Sequence, residues 1–189
     1  MSANTEKPDF SGLRASSLEW VAHVLLFELD QAHLDELLSG PIPEMLDQFV
    51  PGTADELEAA ARSKDACDEL AAEFARLFLI PSSTAVVPIV TSWVEDGEPI
   101  RDLAVRWSTV VEELGVPPYD QQIGRIPPTH IAAVLRAYAF TTGDETMQSE
   151  IEATAVPPIR LFAESLRDNA QAPFYRALGI MLGGLLATC

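Results

Sequence analysis

Three histidines, His23, His33 and His130, are the whole imidazole complement of this 189-residue chain. An imidazole titrates near neutral pH and is a common metal ligand and general base, so the placement of these three bounds the chemistry available. A three-histidine metal site would need all of them to converge, and His23 and His33 already lie ten residues apart in separate helical segments. His130 is more informative. It stands in Pro128-Thr129-His130, where a proline-rich stretch turns into the apolar run Ile131-Ala132-Ala133-Val134-Leu135. With Asp120 or Tyr119 from the preceding linker it would make the base and orienting group of a small helical hydrolase or transferase. The competing reading is a helix start in which the Thr129 hydroxyl caps the helix. The imidazole is then incidental to the cap or stands at the rim of a site. A histidine merely packed against Tyr119 or the linker is the third reading.

Trp93 is the other residue whose position calls for chemistry. It follows Pro88 in the apolar loop VVPIVTSWVED and precedes Glu95 and Asp96, where a large ring is hard to assign to ordinary helix packing. Familiar catalytic signatures are absent from the sequence: there is no Walker loop, dinucleotide fingerprint, H-E-x-x-H, C-x-x-C or nucleophile elbow. Cys67 and Cys189 make neither a disulfide framework nor a zinc pattern, which fits a reducing compartment. The expectation is a protein without metal or cofactor, and not an enzyme.

Charge narrows the partners. The net charge is −17, and residues 1–115 carry 22 acidic against 7 basic side chains where residues 116–189 carry 7 against 5. Nucleic acid is a poor fit to such a surface, because its binding relies on lysine and arginine neutralising phosphates. A basic partner is allowed, as is a charge that serves solubility alone. The N-terminal stretch MSANTEKPDFSGLRASS lacks the pattern of a secretory or twin-arginine signal, and the apolar segment Ala177–Ala187 falls short of the roughly 20 residues that span a bilayer. The expected location is the cytoplasm.

The elements that must position these residues are helical almost throughout. A flexible stretch, 1–14, is expected before a first helix that Ser16-Ser17-Leu18-Glu19 caps, with Leu18, Val21, Ala22, Leu25, Leu26 and Leu29 as its apolar face. Thr53-Ala54-Asp55-Glu56 repeats the capping pattern, opening helical character that runs to Ile80 with a break near Ser63. Pro99 opens the next helix, and Gly115 with Pro117-Pro118 closes it before a linker at about 115–128. Helices then follow from Ile131, from the Thr142-Gly143-Asp144-Glu145 cap, and over about 158–169 and 173–187. Gly179 and Gly183 would let two of these approach closely. The fold class is all-α: a single-domain bundle of roughly eight to ten helices over 15–189.

In order along the chain, Phe74-Ala75-Arg76-Leu77-Phe78 ending at Pro81, the loop VVPIVTSWVED, Pro128-Thr129-His130 and Pro173-Phe174-Tyr175-Arg176-Ala177-Leu178 resemble the TorD/DmsD family. These are cytoplasmic all-helical chaperones of molybdenum-containing oxidoreductases, related to the NarJ-type nitrate reductase assembly proteins. The resemblance implies a chaperone that binds the twin-arginine leader or the body of a catalytic subunit before cofactor insertion and export; a NarJ-type assembly factor is the alternative. It implies a peptide groove at Pro88, Trp93, Tyr119, Asp120, Thr129 and His130, with Arg76, Phe78, Pro173, Phe174, Tyr175 and Arg176 as structural motif. Monomer and homodimer both stay open. Thr129 stands where the family usually has an acid, Val87-Pro88-Ile89 where it has an aromatic-rich loop, and Val134 and Arg136 where acids are common. The fold is therefore expected to be kept and the peptide chemistry or the client to differ. Guanine nucleotide binding, suggested for such proteins, has no phosphate loop here to support it.

Overall fold

The computed structural model describes residues 11–116, 126–141 and 143–187. Ten α-helices are present among them: α1 (Ser11–Val24), α2 (Gln31–Leu38), α3 (Ile42–Asp47), α4 (Thr53–Arg62), α5 (Lys64–Phe74), α6 (Glu98–Glu113), α7 (Ile131–Phe140), α8 (Glu145–Thr154), α9 (Val156–Asn169) and α10 (Pro173–Ala187). The last turn of α5 widens into a π-helical segment, Ala75–Leu79, and a short 3₁₀ turn spans Val90–Trp93. The described residues form no strand, only an isolated antiparallel bridge between Ile89 and His130. The all-α bundle expected from periodicity is the fold observed.

Breaks fall where the chemistry of the residues demands them, but several caps differ from the sequence reading. Helix α1 starts at Ser11, ahead of its expected capping pattern, so Ser16 and Ser17 lie inside it. Ser63, extended at φ −134° and ψ 123°, separates α4 from α5. Thr53 does not cap α4. The Asp47 carboxylate does so from the preceding turn, accepting from Gly52 N (2.8 Å) and Ala54 N (3.2 Å). Glu56 is thereby released from the capping box, and it reaches across the molecule to accept from Phe174 N at 2.8 Å, in the first turn of α10.

An aromatic cluster forms the centre. Phe74 and Phe78 meet at 5.1 Å, Phe78 lies 6.0 Å from Tyr175 and 6.4 Å from Phe162, and Phe174 meets Tyr175 at 4.9 Å. Trp20 of α1 packs edge-on against Phe174. Phe162, Phe174 and Tyr175 are fully buried, which for rings of this size is the dominant contribution to a core. The two aromatic motifs distant in sequence are thus one packing unit.

The hairpin of α9 and α10 requires a close approach at only one of its two candidate glycines. A Cβ on Gly179 would lie 2.7 Å from Arg167 N and 2.8 Å from Ala163 O, both backbone atoms of α9, whereas one on Gly183 would meet nothing within 4 Å. Gly179→Ala is expected to cost about 2 kcal/mol through overpacking. Gly183→Ala is expected to add about 0.5–1 kcal/mol, because alanine loses less backbone entropy in a helix. Urea midpoints moving in opposite directions check the pair, and a shift of the same sign in both would contradict the assignment of the close approach.

Candidate functional site

The loop after the π-helical segment and the entry to α7 are sewn together by their backbones. Val90 N donates to Thr129 O (2.9 Å), and Ile131 N donates to Pro88 O (2.8 Å). The structure therefore brings Pro88, Trp93, Thr129 and His130 into one seam, as their sequence order alone could not show. Tyr119 and Asp120 lie outside the described residues. Within the seam most polar groups are already committed. Pro88 is buried. Trp93 turns its ring edge-on to Phe162 at 5.9 Å and donates its Nε1–H to Val87 O at 2.8 Å. Val87 itself is 43% exposed and supplies the outer apolar surface.

The cap of α7 is a correction. Thr129 was expected to cap the helix with its hydroxyl; the capping residue is His130, whose Nδ1 accepts from Ala132 N at 3.2 Å. The Thr129 carbonyl is engaged by Val90, and the tight turn closed by His130 N on Pro127 O (2.8 Å) carries the chain one residue further before the helix begins. Burial pushes the His130 imidazole down to about 4. It is neutral at physiological pH, which the capping role requires, since a protonated Nδ1 could not accept a hydrogen bond.

A second site, unread from the sequence, opens between α1 and α2. Residues 16, 19, 20, 23 and 24 recur at three- and four-residue spacing and so make one stripe of α1. That stripe faces the pocket, of about 580 Å³, that α1 shares with α2 and the start of α3. Trp20, Val24, Leu29, Leu37 and Ile42 give it apolar walls, and Glu19 and Glu36 stand among the lining residues with His23 and His33. Glu19 pairs with Arg136 of α7 (3.2 Å), which anchors the α1 side. His23 and His33 meet at 5.2 Å between ring centroids, with Phe27 beside both. Trp20 was the available signal. A tryptophan on the face of α1 opposite its main apolar stripe needs something to cover it.

The motif residues hold the α9–α10 turn onto α5. Glu73, only 7% exposed, takes Arg76 through Nε (2.6 Å) and Nη2 (2.7 Å), and its Oε1 also accepts from Gln171 N (2.6 Å) and Ala172 N (3.3 Å). Burial works to raise the carboxyl, but Arg76 and the two amides outweigh it and hold Glu73 below its ordinary value. Arg76 also donates to Asn169 O (2.8 Å), and Arg176 to Ala170 O (3.1 Å). Pro173 begins α10, and Phe78, Phe174 and Tyr175 fill the core beneath. Among the described residues no three histidine, cysteine or acidic side chains are arranged to hold a metal ion, and no helix is long and apolar enough to cross a membrane.

Residues 40–172, well over half of the chain, fit the model of the family described as nitrate reductase delta subunit. No curated protein matches the chain.

Proposed function

The chain belongs to the nitrate reductase delta subunit family of molybdoenzyme assembly chaperones, and from that premise we propose that it holds a segment of a molybdenum-containing catalytic subunit in the α1–α2 pocket before cofactor insertion. The resemblance read from the sequence meets this family on its NarJ-type side. The observation that carries the proposal is the pocket itself: apolar walls from Trp20, Val24, Leu37 and Ile42 with the carboxylates Glu19 and Glu36 among them. Such a lining complements a segment that sets basic residues next to apolar ones, as a twin-arginine leader does. Recognition of that leader, in the cytoplasm and ahead of export, is part of the proposal. The chain acts by binding, not by turnover. His130 supports this, because a largely buried imidazole with Nδ1 engaged in a cap and a value near 4 is poorly suited to general-base work near neutral pH.

Calorimetric titration with a capped peptide of two arginines followed by leucines and alanines tests the site. Trp20→Ala is expected to weaken binding by about 2 kcal/mol, the scale of an interface anchor. Glu36→Gln is expected to cost less and to flatten the salt dependence, as a rim charge does. Circular dichroism on each variant separates lost binding from lost fold. The exposed Val87 beside the seam favours a second reading, in which the peptide lies over Trp93 and the Thr129–His130 turn. Unchanged affinity in Trp20→Ala and Glu36→Gln, with a gain in Thr129→Asp, would move the site there.

A further inference from the structure

The wall of the α1–α2 pocket contains its own titratable pair. His23 projects from α1 and His33 from the first turn of α2, their rings 5.2 Å apart in an edge-on arrangement. Phe27 lies tilted against His23 at 4.7 Å and closes the group. Glu19 of α1 is tied to Arg136 of α7, Glu36 of α2 acts electrostatically on His23, and Asp30 in the turn before α2 touches His33. Helix α3 adds Ile42, α10 places the Phe174 ring behind Trp20, and α4 meets α2 where Gln31 donates to the Ala61 carbonyl.

His33 is held in place in either protonation state. Its Nδ1 lies 3.5 Å from the Asp30 amide, which donates to it when the ring is neutral, and 2.9 Å from the Asp30 carboxylate, which pairs with it when a proton is added. Asp30 thus holds the ring against the pocket wall. Two imidazolium rings this close repel each other, and both repel any guanidinium held among the same residues. Burial first, and the neighbouring His33 second, hold His23 below the ordinary imidazole value, while Glu36 opposes them.

We propose that the His23–His33 pair makes the grip on an arginine-bearing client pH-sensitive, releasing the segment when the rings take up protons. The inference rests on the pocket reading above and adds a regulation to it. Neutral rings leave Glu36 as the acidic group not balanced by the Glu19–Arg136 pair and favour a basic segment; protonated rings oppose its field from inside. By linkage the bound segment must in turn make both rings harder to protonate.

The test uses the full chain and the capped arginine–leucine–alanine peptide, which has no group titrating near neutrality. Its affinity is measured by fluorescence anisotropy at constant ionic strength at about pH 7.5 and pH 5.5, which bracket the ordinary imidazole range. Circular dichroism is recorded at both values. The wild-type chain is expected to lose affinity about tenfold or more on acidification, the scale of repulsion between like charges a few ångströms apart in a partly buried site. In a His23→Gln/His33→Gln chain the ratio of the two affinities should fall below about twofold whatever its starting value. A control peptide with glutamine for arginine should show no such ratio with either chain. An unchanged ratio in the double variant, or no pH effect in the wild-type chain, overturns the inference and leaves the pocket standing. A peptide that fails to bind at the higher pH overturns the pocket reading and this inference with it.

Discussion

Glu73→Ala is expected to destabilise the fold by about 3–5 kcal/mol, the cost of removing one partner of a buried, hydrogen-bonded ion pair. The carboxylate makes four contacts at once: two from Arg76 and one each from Gln171 N and Ala172 N. Its loss leaves two backbone amides of a partly buried turn between α9 and α10 without this acceptor, each costing up to about 1–3 kcal/mol, less where water takes its place. Arg76 keeps Asn169 O and Thr84 Oγ1, and it is less buried than Glu73, so its own penalty is the smaller part. Glu73→Gln should recover part of the loss, since an amide oxygen accepts but carries no charge. Urea unfolding of Glu73→Ala, Arg76→Ala and the double variant measures the coupling. If Glu73→Ala costs no more than Arg76→Ala, the two amides are not held by this carboxylate, and the account of the turn fails.

Acidification from pH 6.5 to about 4 is expected to remove about 3 kcal/mol of stability through His130 alone, at roughly 1.4 kcal/mol per unit of displacement. The native imidazole sits near 4 because burial disfavours its charged form, whereas the unfolded chain protonates near 6.5. Below 6.5 the unfolded state therefore binds the proton that the native state refuses. The contribution is complete above 6.5, falls as the pH drops, and is exhausted below about 4. Glu73 acts in a lower window: its native carboxyl is depressed, so its contribution is present above the ordinary value of 4.5 and is lost as the pH falls through the depressed one. His130→Asn isolates the first limb, because asparagine caps a helix without titrating. Unfolding free energies across this range should slope less in the variant than in the wild-type chain, with His23 supplying a smaller remainder of the same sign. Parallel slopes would show that the cap does not depend on a neutral imidazole.

Periodicity and punctuation determined the helices. Pro81, Pro99 and Pro173 stop or start them by removing a donor and setting φ, and Gly115 closes α6 at φ +75° where a side chain would be strained. Residues three apart share a helix face, so the pairing of Arg76 with Glu73 follows from local spacing alone. The relationship to NarJ-type assembly proteins was legible too, through motifs whose order survives without any knowledge of the contacts they make, whereas the match does not reach the TorD/DmsD assignment itself. Contacts between distant segments were not legible. Glu56 carries the signature of a capping box, and only the arrival of α10 beside α4 shows its carboxylate serving Phe174 N instead. At the Thr129–His130 junction spacing points to the Thr129 hydroxyl as the cap, and the cap passes to His130 because Val90 and Pro88 bond the backbone on either side of it. The α1–α2 pocket follows the same logic. Spacing placed Glu19, Trp20 and His23 on one stripe of α1, but that stripe lines a pocket only when the turn at Asp30 folds α2 back to set His33 and Glu36 opposite it. Local sequence sets which face of a helix is apolar or charged, since that depends on backbone geometry over a few residues. Which other helix covers that face is decided by burying the whole aromatic core at once, a condition satisfied only by the complete chain.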